Sequence, residues 1–281
     1  MFRLKKLLLV LLITSSQLLA QTTTFTNSID MEFILIQPGS MTVGKFQPTA
    51  SKYGFIEKYI KPGDKVDVPV FSEQEYEKAN ELARQAWTKG FLVKVNKPYY
   101  IGKFEVTQAQ WKKVMGNNPS YFQGSKVKDN ADQHPVESVT WNDALAFVKK
   151  LNQMEKGKYT YRLPTEFEWE YAARAGADDD ISWDAVQETA QIAVLTTAPV
   201  GQKKPNSWGL HDMLGNVWEW TADFYNEKLF ADSIPPRVGK EHVMKGAPFY
   251  GDVKNATYMT HAGGPGSNYD IGFRIVIEAT K

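Results

Sequence analysis

The 281-residue chain contains no cysteine. Without thiols it can form no disulfide framework, and it cannot use a thiolate as a nucleophile or a metal ligand. Lipid attachment through a cysteine is excluded for the same reason. The four histidines are scattered, and none has a partner four residues away on a predicted helix. The sequence therefore gives no support to a mononuclear zinc or iron site built on histidines.

Strong charge of either sign is also absent, since 33 Lys and Arg residues face 32 Asp and Glu residues. We therefore predict no nucleic-acid surface. Beyond the first twenty residues, no run is apolar enough to cross a bilayer, so an integral membrane protein is not expected. The hydrophobic fraction of 42% is sufficient for a sizeable core, and eight Trp with 13 Tyr favour a loop-rich fold over a helical bundle.

Residues 1–20 have the pattern of a secretory signal peptide. Arg3, Lys5 and Lys6 are followed by an apolar run over residues 7–13 and by small Ala20. We predict cleavage after Ala20, with an uncleaved N-terminal anchor as the alternative, and a periplasmic or secreted protein. Cleavage removes three basic residues and leaves 30 against 32 acidic ones, a net charge of −2.

The remaining chain, residues 21–281, shows no repeat and no linker that would divide it, so we predict one α+β domain. Capping boxes at Thr107 and Thr165, and an N-cap at Thr140, predict three short helices. An inserted loop and helix are predicted at about residues 45–95, with the helix over 72–89 ending at Gly90. Short strands are predicted at residues 31–37, 91–95, 99–104, 159–163, 243–245 and 272–278, and a glycine-rich loop at 246–270.

The most distinctive stretch is residues 209–220, GLHDMLGNVWEW. It places Asp212 and Glu219 on either side of a Gly215–Asn216 turn, and such a turn points backbone carbonyls inward. Hard cations such as Ca²⁺ prefer this set of oxygen ligands. In an extended segment the two flanking indoles would lie on one face and Glu219 on the other. The alternative is a tight turn between core segments, with the carboxylates merely solvated.

Five segments together resemble the formylglycine-generating enzyme family, also called the sulfatase-modifying factor domain. They are YIGKFEVTQAQW at 100–111, HPVESVTWNDALAFVKKL at 134–151, RLPTEFEWEYAARAG at 162–176, PVGQKKPNSWGLHDMLGNVWEWTAD at 199–223 and GFRIV at 272–276. They occur in family order and span most of the chain from about residue 31. The resemblance implies an irregular fold like that of C-type lectins, with a small mixed sheet and three to four helices.

The resemblance also implies a structural Ca²⁺ ion in the 209–220 loop. Carried over residue by residue, its ligands would be the side chains of Asp212 and Glu219 and the backbone carbonyls of Gly215 and Val217. A second calcium site of the family falls here in residues 185–199, which have no Asn- and Gly-rich cluster, so we expect that site to be lost or altered.

Family enzymes oxidise a substrate cysteine with two cysteines that hold copper, and this chain has no thiol in the matching segment after Lys245. Copper is therefore not expected, because Cu(I) needs soft sulfur ligands. His261 and Asp252, in the segment that replaces the thiol region, are the remaining catalytic candidates. Glu166 and Glu170 share a helix face, and we expect them to support capping and to pair with Arg174.

Two functions stay open. The first is an exported, non-catalytic, calcium-stabilised binding or assembly module of the bacterial cell envelope, whose partner is a peptide or an envelope protein and whose inserted segment could dock that partner. The second is a divergent oxidoreductase, or a periplasmic enzyme that tailors peptides. Metal content and turnover of a cysteine peptide would distinguish them.

Overall fold

A computed structural model describes residues 24–46, 72, 74–78, 81, 88–229, 235–253, 256–264 and 266–278. The first sheet has five antiparallel strands in the order β1-β2-β5-β11-β6. These are β1 (Thr24–Thr26), β2 (Glu32–Ile36), β5 (Tyr99–Gly102), β6 (Tyr161–Arg162) and β11 (Val276–Glu278). The sheet joins the start of the described chain to its end, because β2 and β11 both pair with β5.

The second sheet has four strands in the order β10-β7-β8-β9. It consists of β7 (Trp218–Phe224), β8 (His242–Lys245), β9 (His261–Gly264) and β10 (Ile271–Gly272). The pairing of β10 with β7 is parallel, and the other two pairings are antiparallel. A separate antiparallel pair is formed by β3 (Gly39–Phe46) and β4 (Thr88–Val95).

Four α-helices lie within the continuously described residues 88–229: α1 (Gln108–Met115), α2 (Trp141–Met154), α3 (Glu166–Arg174) and α4 (Trp183–Thr189). The first three begin at the predicted N-caps, Thr107, Thr140 and Thr165, and each has a complete capping box. In each box the threonine hydroxyl accepts from the backbone N–H three residues on, and that residue's side chain accepts from the cap N–H, which satisfies two otherwise unpaired donors. These sequence predictions are therefore confirmed.

Two apolar clusters form the core. One packs α1 and α2 on the five-stranded sheet, with Trp111 stacked on Phe147 at 5.5 Å between ring centroids and Phe273 against both. The other surrounds Trp169 of α3 and contains Leu214 and Ala256. The 209–220 turn therefore contributes side chains to both clusters, among them Leu214 to one and Trp220 to the other. Among the described residues, no helix has both the length and the apolar character needed to cross a bilayer.

The inserted segment differs from its prediction where it is described. Residues 74–78 are helical, but Thr88 and Lys89 belong to β4 instead of ending a helix. Gly90 does not stop a helix. Its φ is +66°, and a Cβ there would lie 2.4 Å from the Val43 carbonyl oxygen, so glycine permits close pairing with β3. Strand β3 was not predicted, and residues 47–71 and 82–87 lie outside the described part.

The predicted loop over residues 246–270 is also partly wrong, because it contains β9. The glycines of this strand allow close packing: a Cβ on Gly263 would lie 2.5 Å from a ring carbon of Tyr225. Local composition indicated a loop, and pairing with β8 overrides it. The final predicted strand is divided into β10 and β11. The strands predicted at residues 31–37 and 99–104 are confirmed as β2 and β5.

Candidate functional site

The 209–220 turn is held in a conformation that most residues avoid. Asp212, Gly215 and Asn216 all have positive φ, at 52°, 85° and 58°. Asn216 fixes the turn from inside, since its side chain accepts a hydrogen bond from the Ala198 N–H at 3.0 Å and donates to the Ala198 carbonyl at 3.3 Å. A Cβ on Gly215 would lie 2.5 Å from the backbone oxygen of Gln191. The backbone around the candidate metal ligands is therefore fixed by hydrogen bonds and close packing.

Glu219 is engaged by a buried cation that belongs to the chain itself. Its Oε2 accepts from Arg274 Nε at 2.7 Å and from Trp169 Nε1 at 2.7 Å, and its Oε1 accepts from the Arg274 guanidinium at 2.6 Å. Arg274 is fully buried and also donates to the carbonyls of Gly102, His211 and Asp212. The expected separation of faces is present, since Trp218 and Trp220 pack in one apolar cluster while Glu219 contacts Trp169 of the other. Glu219 and Trp220 are nevertheless both buried.

Asp212 lies beside this pair. Its Oδ2 accepts from the Gly201 N–H at 2.6 Å, and the residue is 3% exposed. Burial raises the pKa of Asp212, while the Gly201 N–H and the Arg274 charge oppose that shift. Asp212 and Glu219 therefore lie close enough for their charges to interact, but Glu219 is oriented by Arg274 and Trp169.

A third carboxyl, Glu105, completes this cluster and was missed from the sequence. It is 1% exposed, and neither of its carboxyl oxygens has a hydrogen-bond partner. Burial, reinforced by the charge of Asp212, holds the pKa of Glu105 well above its ordinary value, although Arg274 opposes the shift. In the sequence, the only local indication that Glu105 is buried is its position between a predicted strand and the helix cap at Thr107. Glu105 and Asp212 are more than 100 positions apart in the sequence, and only the fold brings them together.

Three buried carboxyl groups thus face one guanidinium. The donor set consists of oxygen atoms, which suits a hard cation and not Zn²⁺ or Cu⁺. Within the described residues no three His, Asp or Glu side chains are arranged to hold a metal ion by themselves. Backbone carbonyls would have to supply part of any coordination sphere, as the two from Gly215 and Val217 do in the sequence prediction. The unpartnered oxygens of Glu105 make the cluster chemically compatible with Ca²⁺.

The segment that replaces the thiol region borders a second charged cluster. Lys245 is fully buried and contacts Glu170 at 3.0 Å and Glu166 at 3.6 Å. Glu170 also binds Arg174, as predicted, at 2.8 Å. Glu166 does not pair with Arg174 and instead accepts from His261 Nδ1 at 2.9 Å. The pKa of Glu166 is lowered by His261 and Lys245 against the opposing effect of burial.

The two catalytic candidates occupy different environments. His261 is in β9, nearly enclosed, with its ring 5.2 Å from that of Tyr225. Asp252 is exposed in the loop between β8 and β9. Ala256 of the same loop is buried in the core around Trp169. The segment that replaces the thiol region thus contributes apolar packing, and His261 is hydrogen-bonded to Glu166 of the charged cluster.

An aromatic surface, which we call the tyrosine face, lies beside this loop and was not predicted. Tyr121, Tyr250 and Tyr269 are 42–49% exposed, above buried Phe122 and Phe249. Ring centroids of Tyr269 are 5.8 Å from Tyr121 and 6.3 Å from Tyr250. Clustered, exposed tyrosines are typical of binding surfaces, since they offer large contact area at low entropic cost.

A buried carboxyl supports the tyrosine face. The Tyr250 hydroxyl donates to Asp270 Oδ2 at 2.6 Å, and burial, followed by this bond and the Asp270 charge, raises the pKa of Tyr250. Asp270 is 3% exposed, and its Oδ1 has no partner. Lys126 lies 3.4 Å from the centre of the Tyr121 ring. Residues from three separate loops meet here, so no short motif identifies the surface.

Comparison with known proteins identifies the family and supports the fold of the chain. Residues 20–279 match the model of the sulfatase-modifying factor enzyme 1-like domain. The chain is 29% identical over 239 residues to the chaperone protein LppX of Paenibacillus barcinonensis, which covers 63% of this chain and 79% of the relative. It is 33% identical over 179 residues to the formylglycine-generating enzyme of Thermomonospora curvata, covering 54% of this chain. The chain spans only 53% of that enzyme's length.

A third relative is the inactive C-alpha-formylglycine-generating enzyme 2 of Bos taurus, 34% identical over 137 residues, with coverage of 43% of this chain and 40% of the relative. The solved structure of PvdO from Pseudomonas aeruginosa superposes with a TM-score of 0.67, covering 92% of this chain and 98% of that one at 21% identity, which supports the fold. The expected resemblance is confirmed: the chain belongs to the family of sulfatase-modifying factor enzyme 1-like domains.

Proposed function

We propose that this protein is an exported, calcium-stabilised, non-catalytic binding or assembly module. The observation that carries the proposal is the absence of cysteine from the whole sequence. Copper-dependent oxidation in the family rests on thiolate ligands, and no other side chain supplies that soft sulfur anion. The loop between β8 and β9 instead contributes Ala256 to the apolar core.

Two of the three relatives described above are compatible with a role other than oxidation, and the third is a formylglycine-generating enzyme. One bears the name of a chaperone, and another is called an inactive member of the enzyme group. A chaperone or assembly factor must bind a polypeptide without modifying it. The tyrosine face supplies an exposed aromatic surface for such a partner, which we take to be a peptide segment or a protein of the bacterial envelope.

Calcium is proposed at the carboxyl cluster. Its ligands would be the side chains of Asp212 and Glu105 with the carbonyls of Gly215 and Val217, and Glu219 would contribute charge while bound to Arg274. The ion would balance the excess negative charge that three buried carboxyls leave against one guanidinium. The supporting observations are the unpartnered oxygens of Glu105 and the raised pKa of both Glu105 and Asp212.

Export is proposed from residues 1–20, which lie outside the described residues. Expression with these residues intact in a Gram-negative host should release a mature protein with a new N-terminus at Gln21. Intact mass and N-terminal sequencing of periplasmic and membrane fractions measure this outcome. A protein that retains Met1 in the membrane fraction would instead be an uncleaved anchored form.

The binding role is tested with the full chain as bait in envelope extract. We expect wild type to retain specific proteins that a variant with Tyr121, Tyr250 and Tyr269 all changed to Ser does not retain. Val238→Ser is the matched control, because Val238 is 81% exposed outside the tyrosine face. Equal retention by all three proteins would refute the assignment of this surface.

The same preparation tests the enzymatic alternative. We expect the purified protein to contain calcium but no stoichiometric copper or iron. We also expect no aldehyde product when a cysteine peptide is incubated with the protein under oxygen. Elemental analysis and mass spectrometry of the peptide measure these outcomes. Conversion of the cysteine that is lost in His261→Gln would establish catalysis and overturn the non-catalytic proposal.

A further inference from the structure

Strands β3 and β4 form a pair outside the two larger sheets. Within the described residues, β4 pairs with β3 alone. In an antiparallel pair, alternate residues of a strand direct their N–H and C=O groups to the partner, and the residues between them direct theirs away. As far as the described residues extend, the outer edge of β4 therefore presents a row of backbone donors and acceptors with no partner strand. An open edge of this kind is a template for another extended chain.

This edge borders a cleft instead of open solvent. The cleft has a volume of about 530 Å³ and is lined by the continuous segment from Val93 to Tyr99 and by residues at the start of α3, including Phe167. Its other walls contain Arg162 of β6 and Glu278 of β11. The volume lies in the range of about 300–1,000 Å³ typical of ligand pockets.

The side chains of β4 alternate between a more buried and a more exposed face. Phe91, Val93 and Val95 are at least partly buried, and the ring of Phe91 lies 5.8 Å from that of Phe167. Between them Leu92 is 61% exposed and Lys94 is exposed. An added strand would continue this pattern, with its apolar residues directed inward and its other residues directed outward beside Lys94.

The charged side chains that line the cleft favour an added strand with acidic side chains. Its cations are Lys94, Lys97 and Arg162, and its anions are Glu168 and Glu278, which leaves one excess positive charge. Arg162 is already occupied, with hydrogen bonds to both Glu168 oxygens at 2.6 and 2.7 Å and a 3.4 Å contact with Glu278. Lys94 and Lys97 have no ion pair with any other described residue. They remain available to acidic side chains.

We infer that the cleft along the outer edge of β4 binds an extended segment of a partner protein in which apolar and acidic residues alternate. The bound segment would add to β4 as a third strand of its sheet, with backbone hydrogen bonds supplying affinity and Lys94 and Lys97 selecting acidic side chains. This site is separate from the tyrosine face and the carboxyl cluster. Its existence depends on neither calcium nor the proposed function.

The full chain is titrated with a fluorescently labelled, end-capped peptide of sequence Val-Glu-Val-Glu-Val, and binding is followed by fluorescence anisotropy at low salt. We expect binding at least about tenfold tighter than that of the matched Val-Lys-Val-Lys-Val peptide. Amide hydrogen exchange should slow in residues 92–96 when the acidic peptide binds, because their outward N–H groups become hydrogen-bonded. Protection confined to another region would overturn the inference.

Lys94→Glu should weaken binding of the acidic peptide by about three- to tenfold and strengthen binding of the basic peptide. Lys149→Glu makes the same charge change at an exposed position of α2 and should leave both affinities unchanged. Equal effects of the two substitutions, or no binding of either peptide at millimolar concentration, would refute the site. A dimer detected by light scattering that dissociates in Lys94→Glu would assign the edge to a second copy of the chain and refute the partner segment.

Discussion

Replacing Glu105 by Gln gives opposite predictions for a protein with and without bound calcium. The substitution keeps the shape of the side chain and removes its negative charge. If Ca²⁺ binds beside Asp212, the change removes a ligand charge, and calcium should stabilise the variant much less than wild type. In chelator the same change removes a buried carboxyl whose pKa is held high, so the variant should be as stable as wild type, or more stable, at neutral pH.

The magnitude follows from linkage. An ion that binds only the folded state stabilises it by about 2.7 kcal/mol at a hundredfold excess over the dissociation constant. A domain of this size shifts its melting temperature by about 2–4 °C per kcal/mol, so calcium should raise that of wild type by roughly 5–10 °C. The variant should lose most of this shift. In chelator the two proteins should agree within about 1 kcal/mol, since one unsatisfied polar group replaces another.

The assay is thermal unfolding followed by circular dichroism at neutral pH, in excess calcium and in chelator. Asp212→Asn is a second variant, because Asn tolerates the positive φ of this position and can still accept from Gly201. It should also lose the calcium shift. Glu188→Gln is the control, since Glu188 forms an exposed pair with Lys204. If Glu105→Gln and Asp212→Asn keep the full calcium shift, the ion binds elsewhere and the argument from the carboxyl cluster is wrong.

Three further outcomes are expected. Burial raises the pKa of Glu137, so the folded state keeps this proton to a higher pH than the unfolded chain. The free energy of unfolding should therefore fall as pH rises above about 4.5. Glu137→Gln should reduce this dependence on pH, as measured by denaturant titrations at a series of pH values. Lys245→Met removes the buried cation shared by Glu166 and Glu170, which keep His261 and Arg174 as their remaining partners. It should lower the free energy of unfolding in urea by up to about 3–5 kcal/mol, against less than about 1 kcal/mol for Lys204→Met at an exposed pair. Gly215→Ala should lower the free energy of unfolding more than Gly157→Ala in the same assay. Both glycines have positive φ, but only at Gly215 would a Cβ lie against a neighbouring carbonyl. Equal losses of stability would contradict the close packing of the turn.

The parts of the fold that could be predicted are those encoded over a few residues. The three capped helices are examples, because the threonine and the acidic or amide residue three positions later satisfy each other's backbone. Strand β3 was missed because its partner, β4, follows after more than 40 residues. The glycines of β9 suggested a loop because the close approach that requires them involves other segments of the chain.

For the site, sequence reasoning identified the turn at residues 209–220 but not what surrounds it. Asp212 and Glu219 were recognised from spacing and family resemblance. Glu105 and Arg274, which determine the charge of the cluster, lie in other segments, and no local pattern associates them with the turn. The tyrosine face was missed for the same reason, since each tyrosine alone is unremarkable in a chain that contains 13.

The arrangement of charges explains how a member of this family can lose its thiols and keep its fold. The Glu219–Arg274 pair ties the 209–220 turn to Gly102 of the five-stranded sheet and to Trp169 of α3. None of these contacts involves the loop between β8 and β9. Loss of sulfur from that loop therefore leaves the buried ion pair intact, whereas an unpaired Arg274 would cost about 3–5 kcal/mol. Selection for stability alone would thus preserve the GNVWEW and GFR segments whether or not a chain oxidises cysteine, so these motifs are evidence of fold and not of catalysis.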